Sequence, residues 1–270
     1  MKKEVKLINK VKHLLRKAGI PRFLHHFGPK KYEFYAHMFA LFVKQACKLS
    51  FRRVAKLLNM LGFEVPTYSA LCKMQKRIPL WMWQLFLKAT CPEFADLCAV
   101  DSTGFSNTNP SIYFIKRIKR LKPIKRYTKL SAFFDTRRKK FLAIRIRAKP
   151  RHDIKDVNYL IKKFSRFRKL LGDSAYDAEF LHKLAYEKEI ITVIKPRKNV
   201  KRGAYRRKQM KSYRERTYHR RSMIESGFGS IKRKYGNYVS GKSIMSRRAE
   251  IYCKAILHNL NLMHMHKIFN

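Results

Sequence analysis

Apolar residues recur at helical spacing over residues 1–90, and this pattern predicts a helical region. The positions that carry it are Phe34, Met38, Leu41, Phe42 and Ala46 in one segment, and Val54, Leu57 and Leu58 in the next. Ser50 is a suitable N-cap for a helix over Arg52–Met60, and Gly62 suits the left-handed residue that follows a helix end. Thr67 can cap a further helix that extends to Ile78.

The last two of these predicted helices, with the short glycine-containing turn between them, are typical of a helix-turn-helix unit. The second helix carries the cations Lys73, Lys76 and Arg77, together with Tyr68. Two interpretations stay open at this stage. These side chains contact DNA, or they form the solvated basic face of an ordinary helical bundle.

Beyond Cys91-Pro92 the pattern changes to short strands that alternate with helices. Strands are predicted at Leu97–Val100, Tyr127–Phe134, Phe141–Arg147, Lys169–Leu171 and Ile190–Ile194. Helices are predicted at 154–164, 178–188, 218–234 and 246–265. This order indicates an α/β fold, with a mixed sheet and helices on its faces. We therefore expect a helical region over residues 1–95 and an α/β domain over 96–270.

The charge balance restricts the class of partner. The chain has 64 Lys and Arg against 17 Asp and Glu, a formal net charge of +47. Such self-repulsion favours a polyanionic partner, nucleic acid ahead of an anionic membrane surface. Two stretches are densely basic, Lys116–Lys129 and Lys195–Arg221. Since apolar residues make up 46% of the chain, it has enough material for a packed core.

Other features point to a cytoplasmic protein. The chain has no apolar run long enough for a membrane span and no apolar segment behind its basic N-terminus. Its five cysteines are an odd number at irregular spacings, which suits reduced thiols.

Acidic residues are scarce, and three stand out by position. Asp101 follows the first apolar strand pattern, Asp173 follows a later one, and Glu225 lies in a helix otherwise rich in cations. Ligands gather at strand ends in α/β sheets, and clustered carboxylates suit Mg²⁺ or Mn²⁺. Taken singly, a strand-end Asp is more often a turn or helix-cap residue than a metal ligand.

The helix around Glu225 adds a pattern of its own. Its members Tyr218, Arg221, Glu225 and Lys232 are spaced by nearly whole helical turns and so share one face. Such a face places a carboxylate beside groups that bind phosphate oxygens. A solvated face with ordinary charge pairing is the alternative.

The same residues resemble a family signature. Tyr218-x2-Arg221-x3-Glu225-x6-Lys232 matches the Y-R-E-K signature of DDE transposases from bacterial and archaeal insertion sequences. The segment Val100-Asp101-Ser102-Thr103 resembles the first acidic motif of that family, and the segment from Gly172 to Asp177 resembles the second.

The resemblance implies a ribonuclease-H-like domain with a mixed five-stranded sheet, as in retroviral integrases. It implies that Asp101, Asp173 and Glu225 are catalytic and bind two Mg²⁺ or Mn²⁺ ions. Similarity assigns Tyr218, Arg221 and Lys232 to DNA at the end of the element. The implied reaction is cleavage at insertion-sequence ends followed by strand transfer into target DNA.

The partners implied are double-stranded DNA, as terminal inverted repeats and target, and further copies of the chain in a homo-oligomer on that DNA. The expected location is the nucleoid of the cytoplasm. Two alternative functions stay open, a non-catalytic nucleic-acid-binding derivative and a metal-dependent nuclease of the same fold. Two structural expectations complete the prediction. Ile194–Thr217 is expected to be a basic loop, and Asp153 is expected to be a helix N-cap.

Overall fold

The computed structural model describes residues 2–24, 30–107, 127–149, 151–197 and 202–263. Most of the basic stretch noted at Lys116–Lys129, and residues 198–201 of the second basic stretch, lie outside the described residues. Two compact units emerge from the pattern of contacts. The first comprises Met1–Thr90, Arg233–Gly236 and Gly241–Asn270, and the second comprises Cys91–Lys232 and Asn237–Ser240.

The first unit is helical. Its helices are α1 (Lys2–Lys17), α2 (Phe34–Ala46), α3 (Phe51–Met60), α4 (Tyr68–Arg77), α5 (Leu80–Ala89) and α11 (Ile244–Asn261). The predicted caps are confirmed: Ser50 Oγ accepts from the Arg53 amide at 3.3 Å, and Thr67 Oγ1 accepts from the Ala70 amide at 3.4 Å. Gly62 has a φ of +79°, as predicted for the residue after a helix end.

Helix α11 belongs to this helical unit, although the sequence-based division into 1–95 and 96–270 assigned it to the α/β domain. Nearly all of α11 is buried, including Tyr252, whose ring stacks on Trp83 at 6.3 Å. Its polar residues have partners as well, since Lys254 Nζ donates to the Gly236 carbonyl at 2.8 Å and Asn259 Nδ2 donates to Thr90 Oγ1 at 2.8 Å. A helix buried on every side needs other helices around it, which the first unit provides.

The second unit is built on one mixed sheet. Its strands are β1 (Ala95–Ser106), β2 (Tyr127–Asp135), β3 (Lys140–Arg147), β4 (Phe167–Gly172) and β5 (Ile191–Ile194). The order across the sheet is β3-β2-β1-β4-β5. Strand β2 is antiparallel to both β1 and β3, while β4 is parallel to both β1 and β5. The expected five-stranded ribonuclease-H-like α/β fold is confirmed.

Helices follow and flank these strands. They are α6 (Ile154–Lys163), α7 (Glu179–Tyr186), α8 (Ala204–Met210), α9 (Glu215–Tyr218) and α10 (Ser222–Tyr235), with 3₁₀ turns at Ser174–Tyr176 and His219–Arg221. Helix α8 corrects the expected loop over Ile194–Thr217. The turn at His219–Arg221 corrects the continuous helix expected over 218–234. Among the described residues, no helix is long and apolar enough to cross a membrane.

Candidate active site

Asp101 lies in the middle of β1, not at a strand end as the sequence pattern indicated. The strand continues because residues beyond Asp101 keep pairing with β2 as far as Ser106 opposite Tyr127, and Phe105 is fully buried. The Asp101 side chain is 18% exposed, and its Oδ1 accepts a hydrogen bond of 2.8 Å from the amide of Ser102. The aspartate is thus held on a rigid central strand.

Asp173 directly follows β4, as predicted. Because β1 and β4 are parallel, with Ala99 opposite Leu171, Asp101 and Asp173 are each the second residue beyond a paired position on neighbouring strands. Asp173 caps the 3₁₀ turn Ser174–Tyr176, and its Oδ1 accepts from the Ala175 amide at 2.9 Å.

Asp173 and Glu225 both interact electrostatically with Asp101. Burial raises the pKa of Asp101, and the charges of Asp173 and Glu225 raise it further, while the Ser102 amide and Arg221 lower it. A nearby cation stabilises the charged form of a carboxylate that is partly buried and close to other negative charges.

Arg221 contacts both Asp101 and Glu225. Its Nη2 lies 2.9 Å from Glu225 Oε1, and its Nη1 lies 3.5 Å from Asp101 Oδ2. Burial lowers the pKa of Arg221, but the charges of Glu225 and Asp101 and a hydrogen bond to Tyr218 outweigh it, so the net direction is upward. Four members of the predicted set, including Tyr218, are therefore neighbours.

Glu225 itself is accessible, since 56% of its side chain is exposed. Helix α10, which carries it, packs closely on β2 through Gly227. A Cβ atom at Gly227 would lie 2.6 Å from Cε2 of Phe134, a distance that real side chains do not adopt. The glycine therefore permits the close approach that holds Glu225 beside the sheet.

Lys232 points at β1. Its Nζ donates a hydrogen bond of 2.6 Å to Thr103 Oγ1 and lies 5.6 Å from the centre of the Phe105 ring. Burial lowers the pKa of this lysine. Sequence reasoning missed Thr103, although its position two residues after Asp101 places both on the same face of β1.

Another network that sequence reasoning missed supports the turn after Asp173. Asp177 is buried and accepts from Arg206 Nε at 2.8 Å and Nη2 at 2.8 Å, from His182 Nε2 at 3.0 Å and from the Arg197 amide at 2.8 Å. Burial raises its pKa, but these hydrogen bonds outweigh burial and lower it to about 2. The Arg197 side chain donates to the carbonyls of Ser174 at 2.8 Å and Ala175 at 3.1 Å.

A cavity of about 630 Å³ lies beside this turn. Its lining residues are Arg151, His152, Asp153, Ile154, Ala175 and Arg197. Asp153 does not cap α6 through its side chain, contrary to the sequence-based expectation, because its own backbone is helical and its carboxylate pairs with Lys129. Two arginines, Arg151 and Arg197, therefore line this cavity together with Ala175, which lies two residues after Asp173.

The residues assigned to DNA in the N-terminal region lie in the first compact unit. Lys73, Lys76 and Arg77 are all exposed on α4, and Arg52 of α3 stacks on the Tyr68 ring at 5.1 Å. Their accessibility is compatible with both interpretations that the sequence left open.

A divalent cation needs several oxygen ligands close together. Within the described residues, no three Asp, Glu, His or Cys side chains are placed together closely enough to hold a metal as they stand. Carboxylate oxygens are nevertheless the ligands that Mg²⁺ and Mn²⁺ prefer, and Asp101 and Asp173 already act on each other electrostatically. The three carboxylates are therefore suitable ligands for such a cation in chemical type, and the Arg221 guanidinium now lies between Asp101 and Glu225.

Comparison with known proteins extends this description. The family of transposase DDE domains matches residues 92–261. No curated protein matches the chain. Among solved structures, a piggyBac transposase synaptic complex with hairpin DNA is similar with a TM-score of 0.50 and 12% sequence identity, over 96% of this chain and 72% of that chain. At that identity the likeness concerns the fold.

Proposed function

Because the chain belongs to the transposase DDE domain family, it is a DNA transposase, and we propose that Asp101, Asp173 and Glu225 are its catalytic acids. The observation that supports this most directly is the alignment of Asp101 and Asp173 on neighbouring parallel strands, with Arg221 connecting Asp101 to Glu225. These acids would bind divalent cations, Mg²⁺ or Mn²⁺, as two ions in each site.

Bound ions would supply the chemistry that phosphodiester cleavage needs, activating the attacking hydroxyl group and stabilising the departing oxygen. The chain's own groups supply position and charge. Asp101 is fixed on the central strand by pairing with Ala132 of β2, two residues beyond the last position paired with β4, and Asp173 is fixed by the 3₁₀ turn. Displacement at phosphorus depends mainly on such positioning and on neutralised charge.

The substrate in this proposal is double-stranded DNA at the terminal inverted repeats of a prokaryotic insertion sequence, with target DNA as the acceptor. Strand cleavage frees a 3′-hydroxyl, which then attacks a target phosphodiester, and the energy of the broken bond is conserved. Arg221 and Lys232 contact phosphates near the cut, Arg221 by its forked donors and Lys232 as a point charge. Tyr218 contributes a phosphate hydrogen bond or stacks on a base.

The other exposed Lys and Arg side chains are proposed to contact phosphates along the DNA backbone. Lys73, Lys76 and Arg77 on α4 are proposed to bind DNA because they are exposed on the second helix of the α3–α4 pair. The active form is proposed to be a homo-oligomer assembled on DNA, in the nucleoid. A chain of charge +47 should bind DNA with an affinity that falls steeply with salt.

The experiment compares Asp101→Asn, Asp173→Asn and Glu225→Gln with Asp96→Asn, another β1 acid that lies 3.9 Å from Arg137 and from Arg168. DNA carrying the element's ends is incubated with Mg²⁺, and cleavage, strand transfer and binding are measured. The proposal expects cleavage and transfer to disappear in the three variants while DNA binding and the Asp96→Asn variant keep wild-type behaviour.

Two other results would replace the proposal. A wild-type protein that binds DNA without cutting it would be a non-catalytic derivative. Cleavage that depends on the three acids but never yields strand-transfer product would indicate a nuclease.

A further inference from the structure

We propose that Arg197 is a positioning residue for Asp173, and that its guanidinium group orients the Asp173 carboxylate by holding the 3₁₀ turn Ser174–Tyr176. This inference rests on the proposed function, in which Asp173 is a catalytic acid. Arg197 lies outside the acidic residues and outside the Y-R-E-K residues, and its hydrogen bonds within the protein single it out.

The orientation of the Asp173 carboxylate depends on the turn that follows it. Its Oδ1 accepts a hydrogen bond of 2.9 Å from the Ala175 amide, and its carbonyl accepts one of 3.1 Å from the Tyr176 amide. A turn of three residues has few internal hydrogen bonds, and their geometry is poorer than in an α-helix. Because Ala175 is also exposed, water competes for its backbone groups. Such a turn holds a side chain firmly only with support from another segment.

Arg197 provides this support with two side-chain donors. Its Nε donates to the Ser174 carbonyl at 2.8 Å, and its Nη2 donates to the Ala175 carbonyl at 3.1 Å. Both backbone groups of Ala175 are therefore hydrogen-bonded, the amide to Asp173 and the carbonyl to Arg197. Ala175 thus connects the guanidinium group to the candidate acid.

The backbone of Arg197 is itself fixed beside the end of β4. Gly172, the last residue of β4, pairs with Ile194 of β5, and its carbonyl accepts from the Lys195 amide at 3.4 Å. Two residues later the Arg197 amide donates to Asp177 Oδ2 at 2.8 Å. Asp177 is buried and has further buried partners. The guanidinium group therefore extends from a fixed point next to the strand that the candidate acid follows.

The contact requires the shape of arginine and not only its charge. A guanidinium group presents its N–H donors in a planar fork, so Nε and Nη2 bond two neighbouring carbonyls at once. A lysine ammonium group is a point charge on a flexible chain and does not reproduce this geometry, although it still attracts phosphate. Arg197→Lys therefore separates two roles, holding the turn and binding DNA.

The first measurement is hydrogen exchange of the Ala175 amide, by NMR on the full chain without DNA or added metal. Arg197→Lys and Arg197→Gln should each make this exchange about tenfold faster, because each loses the forked hydrogen bonds. The amide of Leu171 in β4 should keep wild-type exchange, since the effect is local to the turn. Arg202→Gln is the control, because it removes the same charge from an exposed position and should leave exchange at Ala175 as in wild type.

The second measurement is Mg²⁺-dependent cleavage of DNA that carries the element's ends, with the rate at saturating DNA and the DNA affinity determined separately. A displaced Asp173 should lower the saturated rate of Arg197→Lys by about ten- to a hundredfold. Its DNA affinity and the salt dependence of that affinity should stay close to wild type, because the positive charge is kept.

Four results would overturn the inference. Wild-type exchange at Ala175 in Arg197→Lys would show that the guanidinium group does not hold the turn. A wild-type saturated rate in that variant, with or without weaker DNA binding, would show that Arg197 does not position Asp173 for the reaction. Faster exchange at Leu171 as well as at Ala175 would show a general effect on the fold. Wild-type protein that does not cleave DNA, or Asp173→Asn that still does, would overturn the proposed function and this inference with it, whatever the exchange at Ala175.

Discussion

Lys232 donates a 2.6 Å hydrogen bond from Nζ to Oγ1 of Thr103, and this contact fixes a cation of α10 beside the strand that carries Asp101. Thr103 and Asp101 lie on the same face of β1, since side chains alternate along a strand. The ammonium group is also half-buried against Phe105. A long, flexible lysine side chain thereby has a defined position next to the candidate acids.

This contact predicts different effects for Lys232→Met and Thr103→Val. In the proposed function Lys232 contacts a phosphate, and Lys232→Met would remove that contact, so the logarithmic dependence of DNA affinity on salt should become shallower by about one unit. Thr103→Val keeps the charge of Lys232 and removes only the hydrogen bond that positions it. DNA affinity should therefore fall while its salt dependence stays that of wild type. Titration of end DNA at several salt concentrations measures both. Equal salt dependence in wild type and Lys232→Met would contradict the phosphate contact.

The same contact predicts a pH effect. Burial lowers the pKa of Lys232, so its charge is complete below that pKa and is lost as pH rises through it, before ordinary lysines at about 10.4 lose theirs. The affinity difference between wild type and Lys232→Met should therefore shrink with rising pH before the range in which ordinary lysines lose their charge. A difference that stays constant up to that range would contradict the effect of burial on Lys232.

The sequence predicted most of the elements because their signals are local. Ser50, Thr67 and Gly62 act within a few residues of the helix ends that they define, and strand alternation is read from neighbouring positions. The order of strands and helices followed from the same signals. The assignment of Asp101, Asp173 and Glu225 to a site stays a prediction.

What the sequence did not predict depends on contacts between distant residues. Strand β1 continues past Asp101 because β2 pairs with it. Helix α8 forms in a basic stretch because Arg206 reaches Asp177 and because the Tyr205 and Arg206 amides donate to Glu179 at 2.9 Å and 3.1 Å. Glu250 of α11 is 3% exposed and lies 3.7 Å from buried Lys44 of α2, which is another contact between distant residues.

Arg221 is predicted to compete with cations for the acids. Its guanidinium lies 2.9 Å from Glu225 and 3.5 Å from Asp101, so Arg221→Gln removes a positive charge that a divalent ion would otherwise displace. We expect Mn²⁺ affinity without DNA to rise about fivefold, equivalent to ~1 kcal/mol for a partly exposed ion pair, while affinity for end DNA falls.

The neighbouring Arg220 provides the control, because it is exposed and Arg220→Gln removes the same charge from the same turn. Its Mn²⁺ affinity should match that of wild type. If both variants gain affinity equally, the gain comes from the overall charge and not from the contact of Arg221 with the acids.

The pair Asp177–Arg206 is predicted to stabilise the second unit. Both side chains are buried, and removing one partner leaves the other charged without compensation. Asp177→Asn should therefore lower the free energy of unfolding by about 3–5 kcal/mol, measured by urea denaturation. Glu187→Gln is the control, since Glu187 is exposed and its contact with Lys183 is long, at 4.0 Å.

The pKa of Asp177 gives this pair a pH signature. Its pKa in the folded protein is about 2, below the model-peptide value of 3.8. The stabilisation is therefore complete above the unfolded value and is lost as pH falls from there towards about 2. The stability difference between wild type and Asp177→Asn should decrease over this acid range and stay constant at neutral pH. A difference that does not change with acid would show that the ion pair is not its source.

Gly227→Ala is predicted to destabilise the protein and to disturb the site, although alanine is the better helix former. In an open helix the change would stabilise by about 1 kcal/mol. Here the new methyl group would lie 2.6 Å from Cε2 and 2.8 Å from Cζ of Phe134, a buried ring whose centre is 5.0 Å from that of Phe141. The ring has no free space to move into, so α10 must shift away from β2, at a net cost of about 1–3 kcal/mol.

Because Glu225 lies on the same helix, the shift of α10 should also lower Mn²⁺ affinity. Ser226→Ala, at an exposed neighbouring position of α10, should leave both stability and affinity near wild type. The double variant Gly227→Ala with Phe134→Leu provides the decisive comparison, because a smaller side chain on β2 makes room for the methyl group. Recovery of Mn²⁺ affinity in the double variant would attribute the loss to the position of α10, whereas a stable Gly227→Ala protein with wild-type affinity would show that the close packing of α10 on β2 does not set the position of Glu225.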